Sequence, residues 1–128
     1  MKRSTFLLIT ALLSFAFGAM MFFLPAAAAN FLGIATSPAT TSVLRGMGGL
    51  IIGTGTMNFL IYNNNNPATI MMVLLTNIIT HILGISADVL GIMSGALLPI
   101  KMAPVEIVHL FIGIGSWICL LRFKPEPK

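Results

Sequence analysis

The sequence predicts an all-α protein: an antiparallel four-helix transmembrane bundle with N- and C-termini cytoplasmic. Three observations predict it. Hydrophobic residues make up 57% of the 128 positions and charged residues only 8%, with a mean hydropathy of +1.00. A soluble domain carries about 25% charged residues, so an aqueous surface cannot be assembled from this chain. Four apolar stretches, at residues 5–24, 42–62, 69–91 and 105–123, are each long enough to be read as a span. At about 1.5 Å rise per residue, 20 residues cover the roughly 30 Å of a hydrocarbon core. Proline and polar residues separate the stretches, which together form a single domain over residues 1–128.

The first stretch follows Lys2 and Arg3 and is uncharged up to Pro25. Residues 26–29 are alanines, and Ala27-x-Ala29 has the small-residue pattern of a signal-peptide cleavage site. The apolar run exceeds the usual h-region of about 7–15 residues, so a retained first span is expected over a cleaved leader of residues 1–29. Ser37-Pro38 is a helix start, with serine as cap and proline at the first helical position. The second stretch contains Arg45 and five glycines, of which Gly49-x-x-x-Gly53 is expected to let another backbone approach closely. No strand precedes these glycines and no P-loop lysine follows, so helix packing is expected over a phosphate cradle. The asparagine run at 63–66 with Pro67 marks a tight break and a second capped helix start. Residues 96–103 with Lys101 form the last connection, and Pro104 is expected to open the fourth helix.

Lys2, Arg3, Arg122, Lys124 and Lys128 fall at one end of such a bundle, against Lys101 and Arg45 at the other. The positive-inside rule then puts both termini in the cytoplasm. The net charge of +4 thus sits mostly at the ends of the chain, and no stretch interleaves basic with aromatic residues. A nucleic-acid partner is therefore not expected. The single cysteine, Cys119, excludes an intramolecular disulfide.

The third stretch organises the rest. It carries Asn77, His81, Gly84 and Asp88 on one helical face. Ionisable groups inside a span are costly and face protein or a water-filled cavity. Comparable stripes occur in the other spans: Ala11, Ser14 and Gly18; Arg45, Gly49, Gly53 and Thr56; Glu106, His109, Gly113 and Ser116. Turned inward, they predict close packing at Gly49, Gly53, Gly84 and Gly113. Measured from the boundaries of the stretches, Arg45, Asp88 and His109 lie roughly 5 Å below the outer interface, with Glu106 above them and His81 about 15 Å deep.

Two readings of these groups stand side by side. In one, Arg45 and Asp88 neutralise each other, Glu106 favours a helix N-terminus, and the set only holds helices together. In the other, Arg45, His81, Asp88, Glu106 and His109 form a ligand-binding site or proton relay, with Arg45 holding a negative group and the histidines exchanging protons. Glu106-x-x-His109 has the spacing of bundle metal sites. Asp88, Glu106 and His109 fall short of a full metal shell, so no metal is expected. His81 beside Gly84 leaves room for axial ligation of a haem or chlorophyll, but no particular cofactor follows from the sequence.

The segments LRGMGGLIIGTG at 44–55, HILGISADVLG at 81–91 and VEIVHLFIGIGSWICLLR at 105–122 resemble a family of small four-helix bacterial integral membrane proteins, distantly like the DoxX type. That resemblance implies a multi-pass protein of the bacterial inner membrane and carries no catalytic residues. The small multidrug transporters are of similar size, but the first span here has no glutamate.

The functional expectation is a non-catalytic accessory or scaffold subunit, packing against other membrane protein subunits or as a homo-oligomer within membrane lipid. The alternative is a small transporter or ligand-binding protein using the polar cluster. A histidine-based cofactor-binding redox protein is the third reading. No nucleophile–base pair marks an enzyme.

Overall fold

In the computed structural model, which describes residues 1–122, the described chain forms five α-helices and no strand. They are α1 (Arg3–Phe23), α2 (Pro25–Leu32), α3 (Pro38–Ile61), α4 (Pro67–Met93) and α5 (Pro99–Leu121). The expected end of the last stretch at Phe123 and the charges of Lys124 and Lys128 lie outside the described residues. Among the described residues three helices, α1, α4 and α5, are long and apolar enough to cross a membrane. The expected second span, α3, has the length but is diluted by five glycines, four threonines, Arg45 and Asn58.

Four proline positions set the helix starts. Pro25 lacks an N–H and crowds the preceding turn, so α1 ends at Phe23 and the chain leaves helical geometry at Leu24 before α2 begins. The connection after the first stretch is therefore a short helix, which stops at Gly33 in the left-handed region with φ of 72°. Ser37 and Asn66 cap α3 and α4, accepting hydrogen bonds from the backbone N–H of Thr40 and Thr69 at 3.1 and 3.2 Å, with Pro38 and Pro67 at the first helical positions. The fifth helix departs from expectation. It starts at Pro99, so Pro104 lies inside it and Lys101 is helical rather than in a loop. An N-terminal proline is already pre-organised for helix, and Pro104, only five residues further on, forfeits a single backbone hydrogen bond near the start of the helix.

The helices associate as two pairs, α1 with α3 and α4 with α5, with few contacts between the pairs. Along α1 and α3 the partners run in opposite directions: Phe22 lies at Gly48, and Ala11 and Ser14 lie at Gly55. A Cβ on Gly48 would sit 2.6 Å from the Phe22 nitrogen and 2.7 Å from the Gly18 carbonyl oxygen. The close approach therefore uses Gly48 and Gly55, not the expected Gly49 and Gly53. A Cβ on Gly49 would lie 3.9 Å from the Phe22 ring, and one on Gly53 would have nothing within 4 Å among the described residues. The sequence stripe is one residue out of register, because glycines occupy adjacent faces of α3 and spacing alone does not choose between them.

Buried apolar side chains gather in two clusters. One joins Phe6, Leu7, Ile61, Ile70, Val73, Leu74 and Ile112 near the start of α1 and the α3–α4 turn, where the Arg3 guanidinium donates to the Asn64 carbonyl at 2.9 Å. The other joins Met21, Ala28, Ala29, Leu32, Leu44 and Met102, where α2 covers the opposite end. The outer faces of the long helices expose Leu12, Leu60, Leu83, Ile107 and Ile114, a surface suited to lipid.

Candidate functional site

Between the two helix pairs lies a cavity of about 400 Å³. Its walls are largely apolar, with Phe17, Met21, Leu44, Ile51, Val108 and Ile112 among them. One wall is different. His81 and Asp88 from α4 and His109 from α5 reach it, together with Gly84. The size falls within the range of about 300–1,000 Å³ typical of small-molecule sites, which are usually apolar with a few placed polar groups.

The polar wall is assembled by the packing of α4 on α5. Nδ1 of His81 meets Nδ1 of His109 at 2.7 Å, with the rings tilted at 61°. Nε2 of His109 lies 3.6 Å from Oδ2 of Asp88. Glu106 adjoins both Asp88 and His109, and its Oε1 is buried without a hydrogen bond among the described residues. The contact is steric as well as polar. A Cβ on Gly84 would fall 2.5 Å from Cε1 of His109, and one on Gly113 would fall 3.5 Å from Cβ of His81. Gly84 thus receives the His109 ring, whereas Gly113 meets only the Cβ of His81 at ordinary contact distance.

The direct His81–His109 bond corrects the expected separation of the two histidines in depth. The helix ends explain the difference. His81 lies twelve residues before the end of α4 and His109 ten after the start of α5. At about 1.5 Å per residue they differ in level by only about 3 Å. A fourth helix opening at Pro104 makes the offset about three times larger.

Arg45 does not join the site. It is exposed on α3, and among the described residues no ion pair links it to Asp88. Its level is comparable, seven residues into α3, so direction rather than depth separates it from the acids. Asp88, Glu106 and His109 are together, but among the described residues no group of three His, Cys, Asp or Glu side chains is arranged to hold a metal ion.

The spacing argument missed Asn58. It is fully buried and exchanges two hydrogen bonds with Asn77, Nδ2 to Oδ1 at 3.1 Å and 2.8 Å in the two directions. Its Nδ2 also donates to the Thr54 carbonyl at 2.9 Å. This amide pair joins α3 to α4 one helical turn from Thr54 and His81, which line the cavity. The available signal was Asn58 itself, an amide inside a largely apolar stretch, where a polar side chain faces protein.

A smaller cavity of about 260 Å³ lies against α4 and α5 alone, bounded by Ile78, Ile82, Ile85, Ile114 and Trp117. His81 and His109 line both cavities. The imidazole pair is thus a shared wall between them.

No family model, curated protein or solved structure matches the chain.

Proposed function

We propose that this protein is a four-span membrane protein that binds an amphiphilic small molecule between its two helix pairs. In this reading α3 also spans the membrane, as the second of four spans, and both termini are cytoplasmic, with the Lys2, Arg3 and Arg122 end inward by the positive-inside rule. The resemblance to small DoxX-type proteins supports placing it in the bacterial inner membrane. The observation that carries the binding reading is the roughly 400 Å³ apolar cavity with His81, Asp88 and His109 on one wall. A cleft of this size and lining lies within the range of small-molecule sites. The apolar walls suit a hydrocarbon body, and the polar wall suits a head group that exchanges hydrogen bonds. Arg45, on the outward face, has no part in holding it.

Ala87 lines the cavity and is exposed, so an aromatic ring can be accommodated there without displacing a packed neighbour. Lipid extraction and mass spectrometry of the gently solubilised protein should find a bound molecule in fixed ratio. Ala87→Phe should lose it while the folded protein is recovered at unchanged yield. A ligand-free wild type, or full retention in Ala87→Phe, would overturn the reading.

A second reading, association with another membrane protein or a second copy, rests on the outward glycines. Among the described residues no atom lies within 4 Å of a Cβ placed on Gly46 or Gly53, so a foreign helix can approach α3 closely there. Crosslinking through a cysteine placed at Gly53, in its native membrane, would reveal the neighbour. Absence of any crosslinked product would remove this reading.

A further inference from the structure

The two ring nitrogens joined at 2.7 Å are both Nδ1, and this restricts the protons. A neutral imidazole carries one N–H, so one Nδ1 donates and the other accepts. The donor ring then has a bare Nε2, and the acceptor ring has its proton on Nε2. Which ring is which is set by what the remaining nitrogens face. Nε2 of His109 faces the Asp88 carboxylate at 3.6 Å, and a carboxylate favours an N–H pointed at it. At 3.6 Å the carboxylate attracts the ring edge without hydrogen-bonding it, which favours the tautomer of His109 with its proton on Nε2 and Nδ1 as acceptor. His81 donates from Nδ1, and its Nε2 is left as a bare acceptor. That atom has no hydrogen-bond partner among the described residues, and the His81 side chain lines both the cavity between the helix pairs and the smaller one against α4 and α5.

We infer that the Asp88–His109–His81 array presents Nε2 of His81 to the cavity as a hydrogen-bond acceptor, so that the site selects amphiphiles whose head group carries a hydroxyl donor: a long-chain alcohol or a phenol. Ketones, ethers and esters of the same shape lack the donor and leave the lone pair unmet. The array is also a polarity relay. Protonation of Asp88 would place a donor opposite Nε2 of His109, reverse both tautomers, and turn Nε2 of His81 into a donor. The acidic groups that can impose this are Asp88 on α4 and the adjoining Glu106 on α5. The other charged side chains of the packed helices lie elsewhere: Arg3 is at the Asn64 turn, Arg45 is on the outer face of α3, and Lys101 lies against Gly33.

The inference rests on the cavity being a ligand site, and one experiment separates the two. Protein with ¹⁵N-labelled histidine in lipid nanodiscs is titrated with n-dodecanol and, separately, with its isomer methyl undecyl ether. Before ligand is added, His81 should show a bare Nε2 and His109 a bare Nδ1. Dodecanol should shift the His81 Nε2 signal at about tenfold lower mole fraction than the ether, the discrimination of one buried hydrogen bond. Asp88→Leu should abolish the fixed tautomers and collapse the preference. Opposite tautomers in the wild type, equal half-saturation by the two probes, or a preference that survives Asp88→Leu would overturn the relay. If both probes bind equally well, the cavity reading stands without it. If neither shifts His81, both fall.

Discussion

Replacing Gly84 by alanine tests the geometry that brings the two histidines together. The added methyl carbon would lie 2.5 Å from Cε1 of His109 and 3.0 Å from each ring nitrogen. Carbon atoms rest at about 3.5–4.0 Å, so the ring must retreat by about 1 Å. The Nδ1–Nδ1 contact starts at 2.7 Å, and a retreat of that size takes it past about 3.5 Å, where the hydrogen bond ends. The energetic effect is modest because two contributions oppose. A hydrogen bond between helices in a membrane is worth about 0.6 kcal/mol on average and up to about 1.7. Alanine in place of glycine favours a helix by up to about 1 kcal/mol. Net stability should therefore change by about 1 kcal/mol or less, too little to decide the question. The decisive assay is the scalar coupling between the two Nδ1 nitrogens across the hydrogen bond, measured in nanodiscs with ¹⁵N-labelled histidine. It should be present in the wild type, absent in Gly84→Ala, and retained in Gly53→Ala, where no described residue stands within 4 Å of the new methyl. A coupling that persists in Gly84→Ala would refute the claim that Gly84 seats the His109 ring.

Gly48→Ala should destabilise the protein by about 2–4 kcal/mol in bicelle unfolding, since the new methyl meets the backbone of α1 at 2.6 and 2.7 Å and a helix has to move. Gly49→Ala, one residue away and facing only a ring edge at 3.9 Å, should instead leave stability unchanged or raise it by up to about 1 kcal/mol. Asn58→Leu should cost about 1–2 kcal/mol by leaving the Asn77 amide unpaired. The double replacement Asn58→Leu with Asn77→Leu should recover at least half of that in the same unfolding assay. Arg45→Gln should leave ligand retention unchanged in the extraction assay, because Arg45 faces away from the cavity wall.

The helical class and the rough positions of the long helices were legible because apolar length is a strong signal, and Ser37-Pro38 and Asn66-Pro67 supply caps with a direct physical basis. Boundaries set by a single proline were less secure. Pro25 and Pro104 are the same residue type, yet one ends a helix and the other lies inside one. The difference is what precedes them: a full helix stands before Pro25, whereas Pro104 follows closely on Pro99, where the first turns have few backbone bonds to lose. The α4 stripe of Asn77, His81, Gly84 and Asp88 was readable from periodicity, since polar residues are scarce in that helix and only one face holds them. On α3 small residues occupy several faces, and the choice between Gly48 and Gly49 depends on where Gly18 and Phe22 of α1 lie. That is information about two helices at once, which periodicity along one cannot contain.

The same distinction explains why the polar groups assemble as they do. Opposite charge suggests that Arg45 should seek Asp88, because unlike charges in a low-dielectric interior attract strongly. The helix pairing decides otherwise. α3 is committed to α1 through the glycine contacts at Gly48 and Gly55, and that rotation turns Leu44 inward and Arg45 outward. Asp88 is left with the neighbours that α5 brings, His109 and Glu106. Rotating α3 to bury Arg45 would expose Asn58 and break its pair with Asn77, besides opening the α1–α3 seam. Exchanging the two neighbours in one double variant, Leu44→Arg with Arg45→Leu, therefore separates charge attraction from packing. With the guanidinium on the cavity side, where Leu44 now lines the wall, the swapped protein should gain an Arg–Asp88 contact and lose selectivity at the His81 end. If the swapped chain instead keeps wild-type ligand retention and histidine signals, the orientation of α3 assigned by Gly48 and Gly55 is wrong.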